Sequence, residues 1–203
     1  MNQPKEIIDK NFAVRAMTIK GQIRGLGLKH DLEYVLKMWG EEGLKEVERE
    51  LESLGYPLKY QEIREMDFFP IGTGILVLAI IKKFFDVPEE KMADVCAFHP
   101  KTPLVAKLFM KYFYSIPKIM ERTQKMWREY WTIGEIDFKE YNEKDKYAIL
   151  QVRDFDLDPL ICRCLEGYFR SMAELILGKG KVVSQETKCF FKGERIHEFI
   201  IKW

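Results

Sequence analysis

Four side chains near the C-terminus of this 203-residue chain have the chemistry needed to bind a metal ion. Cys162 lies at the start of a predicted helix, Glu186 and Cys189 lie on a predicted strand, and His197 lies on the next strand. Thiolate, imidazole and carboxylate groups are the ligands that tetrahedral zinc accepts. If the turn between the two strands spans residues 192–194, Cys189 lies opposite His197 with Cβ atoms about 5 Å apart. The four residues therefore suit a zinc site.

Residue types and spacing alone do not decide whether Cys162 or Cys164 is the metal ligand, or whether Glu186 belongs to the site. Cys164 shares the apolar face of the helix, which is typical of a small core residue. Cys162 lies off that face at the helix N-terminus, where the helix dipole favours a thiolate. Glu186 has the opposite strand parity to Cys189 and joins the set only through a bulge or a twist.

Charge and motifs exclude several classes of function. Lys and Arg number 33 against 32 Asp and Glu, which gives a net charge of +1 and no basic excess for nucleic acid. The sequence contains no phosphate loop, no GxGxxG and no GxSxG motif, so no catalytic residue is predicted. No secretion signal is visible at the N-terminus, and the apolar run 68–81 is too short and interrupted to span a membrane.

A cytoplasmic location is expected from these absences. In that compartment disulfides are rare, so Cys96, Cys162, Cys164 and Cys189 are expected to be free thiols or metal ligands.

The elements that must position these residues form an α+β pattern. Residues 12–19 alternate and predict a first strand, after which helical periodicity runs from residue 30 to 54 with an interruption at Gly40. Residues 71–84 are apolar nearly all round and predict a central helix, and further helices are predicted after Pro88, Pro103 and Ile116. Strands at 133–141 and 147–153, a helix from Pro159, and strands at 181–191 and 195–202 complete a β-β-α-β-β half. We expect one domain over residues 1–203, with a helical part at about 21–131 packed on an antiparallel sheet-plus-helix part at about 132–203.

The run from Cys162 to Phe199 resembles the C-terminal half of the 4-vinyl reductase domain, which is shared by phenol-sensing modules of bacterial transcription activators. That family has a cysteine before Gly-Tyr, then Glu-x-x-Cys, then a cysteine within Gly-x-x-x-Cys. Here these positions are Cys162 before Gly167-Tyr168, Glu186 with Cys189, and His197 after Gly193. The resemblance implies a structural zinc held by these four positions, with His197 in place of the last cysteine.

The layout from residue 12 to residue 203 is also similar to heme nitric-oxide/oxygen-binding (H-NOX) domains, which belong to the same superfamily and to which the TRAPP subunits are related. H-NOX domains ligate heme through a histidine in the helix before the sheet, and Pro117 falls at that place here. Their Tyr-x-Ser-x-Arg motif would fall on residues 155–159, which read Phe-Asp-Leu-Asp-Pro and add negative charge. Heme binding is therefore not expected.

Without heme, the resemblance implies an apolar cavity that takes a hydrophobic small molecule. We expect its walls to include seven residues: Phe109, Phe113, Met120, Trp127, Trp131, Phe155 and Tyr168. The same rings would equally serve to fill the core. The expected function is a non-enzymatic sensory domain that signals to a protein partner in trans or as a homodimer. The alternatives are an H-NOX-type heme sensor, a TRAPP-like dimeric adaptor and a tetrapyrrole vinyl reductase.

Overall fold

The computed structural model describes residues 8–97, 116–177 and 181–203, with side chains from residue 118 onward in the second range. The chain divides into two compact units, Met1–Val87 and Pro88–Trp203. Helices and antiparallel strands both occur, which confirms the predicted α+β class. The expectation of one domain over residues 1–203 stays a prediction. Among the described residues, no helix is long and apolar enough to cross a membrane.

The first unit is mostly helical. Its elements are α1 (Lys10–Thr18), β1 (Gln22–Arg24), α2 (Gly25–Ser53), β2 (Phe68–Pro70) and α3 (Ile71–Phe84). The predicted strand at 12–19 is wrong, because this segment forms α1. The side chain of Asp9 accepts a hydrogen bond from the backbone N–H of Phe12 at 2.8 Å and caps the helix.

Helix α3 is the core of this unit. Every residue from Ile71 to Ile81 is buried, as the apolar run predicted, and the last turn of the helix contains Lys82 and Lys83, where the helix dipole favours cations. Helix α2 is interrupted at Gly40, whose φ of 70° lies in the left-handed region that glycine adopts at little cost. The break at Gly40 that the periodicity predicted is therefore confirmed.

The second unit places a sheet against helices. Its elements are α4 (Met92–Cys96), α5 (Ile116–Tyr130), β3 (Glu135–Asn142), β4 (Tyr147–Arg153), α6 (Pro159–Leu177), β5 (Val183–Lys188) and β6 (His197–Lys202). Along the chain, the order β3, β4, α6, β5, β6 confirms the predicted β-β-α-β-β half. Within the sheet, the strands are antiparallel and lie side by side in the order β3-β4-β6-β5. The helix predicted after Pro103 lies outside the described residues.

One face of the sheet forms the core of the second unit. Burial alternates along β4, so that Ala148, Leu150 and Val152 point inward. Register pairing places Leu150 opposite Phe199 and Val152 opposite His197 on β6. His197 therefore belongs to the inward-facing set, and the core face of the sheet runs directly into the candidate metal site.

Helix α6 begins where the sequence predicted. Pro159 occupies its first position, and the Asp158 carboxylate accepts a hydrogen bond from the backbone N–H of Leu160 at 2.8 Å. The short helix α4 packs on α6 at very close range, because a Cβ atom at Gly167 would lie 1.9 Å from the carbonyl oxygen of Ala93. Arg170 adds an ion pair to Asp94 at 2.7 Å.

Candidate metal centre and apolar cavity

Three elements of the second unit deliver the four predicted metal ligands to one place. The first turns of α6 supply Cys162, the C-terminal end of β5 supplies Glu186 and the following Cys189, and the first residue of β6 is His197. One potential ligand atom from each residue lies within 4.8 Å of those of the other three. The structure therefore brings together the four side chains that the sequence singled out.

The distances within this cluster suit a tetrahedral ion. The Sγ atoms of Cys162 and Cys189 are 3.7 Å apart. Two thiolates bound to one zinc ion at ~2.3 Å and a tetrahedral angle would be ~3.8 Å apart. The Nδ1 atom of His197 lies 3.8 Å from the Cys162 sulfur, and it lies 2.8 Å from Oε1 of Glu186, which is hydrogen-bond length.

The cluster is shielded from water, and its electrostatics favour a cation. Cys162, Cys189 and His197 are buried, and only 5% of the Glu186 side chain is exposed. Burial, followed by repulsion from Glu186 and Cys189, raises the pKa of the Cys162 thiol. Burial alone would raise the pKa of Glu186, but hydrogen bonds from His197 and Cys189 lower it below the ordinary value. A divalent cation would neutralise this concentration of acidic groups.

His197 has an unsatisfied nitrogen. Within the described part of the chain, its buried Nε2 atom has no hydrogen-bond partner. The rings of Phe190 and Phe191 lie beside the imidazole, with centroids 6.4 and 5.9 Å away. Both phenylalanines are themselves about 40% exposed, at 42% and 39%, so they form the surface next to His197.

The connection between β5 and β6 differs from the predicted three-residue turn. Pairing ends at Lys188 and Glu198, and the chain then forms a 3₁₀ turn at Phe190–Lys192, so Cys189 is not paired opposite His197 as a turn at residues 192–194 would require. The register shifts between Glu186 and Lys188. This irregularity supplies the bulge that Glu186 needs in order to share a site with Cys189.

The other two cysteines overturn the expectation that none forms a disulfide. Cys96 at the end of α4 is bonded to Cys164 on α6, with Cα atoms 5.0 Å apart. Cys162 and Cys189 are free and buried. The sequence pattern assigned Cys164 to the apolar face of α6, but the buried residues include Cys162, Leu165 and Phe169, whereas Cys164 is half-buried.

A cavity of about 90 Å³ lies between α5, α6 and the sheet. Its walls are almost entirely carbon: Ile119, Thr123, Met126, Trp127, Ile136, Phe138, Ala148, Leu150, Tyr168, Phe169, Met172, Ala173, Ile176, Leu177, Ile201 and Trp203. The Thr123 hydroxyl donates to the carbonyl of Ile119, and the indole N–H of Trp127 donates to the carbonyl of Ile133. These two polar groups are thus engaged within the protein.

Only some of the residues predicted to line a cavity line this one. Trp127 and Tyr168 line this cavity. Phe155 and Trp131 do not line it; they pack edge to face against each other, and both contact Trp127. Phe155 is buried and fills the core, whereas Trp131 is half-buried. Met120 is half-buried on α5 and is not a wall residue.

Two further predicted residues, Phe109 and Phe113, lie outside the described residues. Sequence reasoning missed the walls that come from the sheet, such as Phe138, Leu150 and Ile201. The strand alternation carried that signal, since inward-facing positions of β4 and β6 face the same helices.

Comparisons with known proteins identify the fold. No family model matches the chain, and no curated protein sequence matches it. Solved structures of H-NOX proteins do match over 89% of the chain. A Shewanella oneidensis H-NOX protein in the Fe(II)NO state has a TM-score of 0.60 at 13% identity, with 98% of that chain covered.

Two other H-NOX structures give the same result. An oxygen-binding H-NOX domain related to soluble guanylate cyclases has a TM-score of 0.59 at 12% identity, with 94% of its length covered. An Fe(II) unliganded H-NOX protein from K. algicida has a TM-score of 0.56 at 12% identity, with 96% covered. The chain therefore has an H-NOX-like fold.

Proposed function

We propose that this chain is a sensory domain that binds a small molecule and relays its occupancy to a protein partner in trans. The observation that carries the proposal is the H-NOX-like fold, since solved H-NOX structures match 89% of the chain. The sequence offers no nicotinamide, nucleotide or hydrolase motif that would favour an enzyme.

We further propose that Cys162, Glu186, Cys189 and His197 hold a structural zinc ion. Support comes from the donor types, from the sulfur–sulfur distance of 3.7 Å, and from the burial of acidic groups that a cation would neutralise. The ion would supply folding energy rather than chemistry, since all four positions of a tetrahedral site come from the protein. It would fasten the N-terminus of α6 to the β5–β6 end of the sheet.

The ligand that suits the cavity of the second unit is small and apolar. An engineered cavity of about 150 Å³ suffices for benzene. The cavity here has about 90 Å³, and two flexible methionines, Met126 and Met172, lie among its walls. A molecule no larger than a single aromatic ring would therefore enter this space by displacing the methionine side chains, whereas a drug-sized molecule, which needs about 300 Å³ or more, exceeds it several-fold.

Heme is the second candidate ligand, and the fold comparisons by themselves favour it, because H-NOX-like folds are the structures that match. The residues of this chain argue against it. Helix α5 contains no histidine, and Pro117 lies where the resemblance would put the axial ligand. His197 belongs to the candidate metal cluster.

One preparation separates these proposals. The protein is purified without chelators, and its absorption spectrum, its zinc content and its native mass are measured. We expect no Soret band, about one zinc per chain, and a mass that shifts on addition of benzene-sized apolar compounds. A Soret band with stoichiometric iron would establish the heme sensor instead. Absence of zinc would refute the metal site, and a mass indifferent to apolar compounds would refute the cavity ligand.

A further inference from the structure

Glu166 is a buried carboxylate beside the candidate metal centre that none of the preceding assignments uses. It lies one helical turn after Cys162 on α6, so the two side chains share a face of the helix, and it is 8% exposed. Burial of a carboxylate is costly unless hydrogen bonds compensate for the lost water. The position therefore needs a structural or functional reason.

Both oxygens of Glu166 have specific partners. Oε1 accepts a hydrogen bond from the backbone N–H of Glu186 at 2.7 Å. Oε2 accepts one from Nη1 of Arg163 at 2.8 Å, and Arg163 in turn lies near Glu89, with Nε 3.8 Å from a carboxylate oxygen. Glu166 is thereby held in one orientation, with its first oxygen directed at the backbone of a candidate metal ligand.

The sheet leaves Glu186 in need of such support. Its partner across the ladder is Phe199, but the next pair is Lys188 with Glu198, so Thr187 is an extra residue and regular pairing stops directly after Glu186. A bulge of this kind loosens the constraint that the ladder places on backbone direction. The bond from Glu166 acts at the residue where that constraint ends.

We propose that Glu166 is a positioning residue for the metal centre: it fixes the Glu186 backbone at the bulge and thereby directs the Glu186 carboxylate towards Cys162, Cys189 and His197. This inference rests on the proposed zinc site. The physical reason is preorganisation, because groups that orient metal ligands typically contribute 10- to 100-fold to metal affinity.

The test separates the reach of the side chain from its charge. Zinc affinity is measured by competition with a chromophoric chelator for the wild type, Glu166→Asp, Glu166→Gln and Glu174→Ala. Glu166→Asp keeps the charge but withdraws the acceptor by one methylene, whereas Glu166→Gln keeps an oxygen at the same reach for the Glu186 N–H and replaces the acceptor for Arg163 with a donor NH2. Glu174 is an exposed glutamate on the same helix and serves as the matched control. The Co²⁺-loaded forms provide a ligand-field spectrum that reports on ligand geometry.

We expect Glu166→Asp to weaken zinc binding by about 10- to 100-fold and to shift the Co²⁺ bands. Glu166→Gln should weaken binding less than Glu166→Asp, because it keeps an acceptor for the Glu186 N–H and loses only the acceptor for Arg163, and Glu174→Ala should stay close to the wild type. Wild-type affinity and an unchanged Co²⁺ spectrum in Glu166→Asp would overturn the inference, as would a loss of affinity in Glu166→Gln alone, which would indicate an effect of charge. A wild type that binds no zinc would instead refute the metal site itself, and this inference with it.

Discussion

The bond between Cys96 and Cys164 should dominate the stability of the second unit. The two cysteines are 68 residues apart in sequence, so their bond closes a long loop. Loop-closure entropy for that length is about 15 cal/mol/K, which corresponds to about 4 kcal/mol at 25 °C. The whole free energy of unfolding of a domain is about 5–15 kcal/mol. We therefore expect the double variant Cys96→Ser/Cys164→Ser to lose a large share of the stability of this unit, with a fall in its Tm of roughly 15–20 °C.

The assay compares three forms of the protein by urea unfolding: the oxidised wild type, the wild type kept in reductant, and the double serine variant. The reduced wild type and the variant should unfold at similar urea concentrations, both well below the oxidised protein. Thiol titration in denaturant with chelator should find two free thiols in the oxidised form, Cys162 and Cys189, and four after reduction. Coincident unfolding of the oxidised and reduced forms would refute the entropic argument, and four thiols before reduction would refute the bond itself.

Three further substitutions test the site, the cavity and the helix packing. Cys189→Ala should lose the bound zinc and lower the Tm, as measured by elemental analysis and calorimetry; full zinc retention would contradict its role as a ligand. Ala173→Leu should fill the cavity and abolish the native-mass shift with benzene-sized compounds, while Glu174→Leu at the exposed neighbouring position should leave that shift intact. Gly167→Ala should destabilise the protein by roughly 1–3 kcal/mol, because its Cβ would lie 1.9 Å from the carbonyl oxygen of Ala93; unchanged urea unfolding would show that α4 can move away freely.

Helices and strands were predicted best where two independent local signals in the sequence agreed. The apolar run at 71–84, the alternation in β4, and Pro159 after Asp158 each combine composition with a start or stop residue. The prediction for segment 12–19 was wrong because its short alternation of apolar and polar residues is typical of a strand. Asp9, which caps α1, was the signal that favoured a helix.

The orientation of α6 was the main error at the site. Glu166 lies on the face of α6 that is buried in the structure. Because a charged residue is expected to face solvent, the sequence pattern predicted a different buried face, which included Cys164. In the structure, hydrogen bonds to Glu186 and Arg163 compensate for the burial of Glu166. Arg163 is only three residues away, but Glu186 is twenty residues away on another element, and periodicity, which assumes that charged residues face solvent, cannot show that partner.

Local periodicity, capping and side-chain chemistry are enough to predict the α+β class, the order of the sheet-forming elements and the residue types that suit a zinc site. The approach of Cys162 to Cys189, the bond between Cys164 and Cys96, and the set of residues that line the cavity follow from the three-dimensional packing alone. Those outcomes depend on the rotation of one helix about its axis and on a one-residue bulge in β5, and both are set by long-range packing and hydrogen bonds rather than by neighbouring residues.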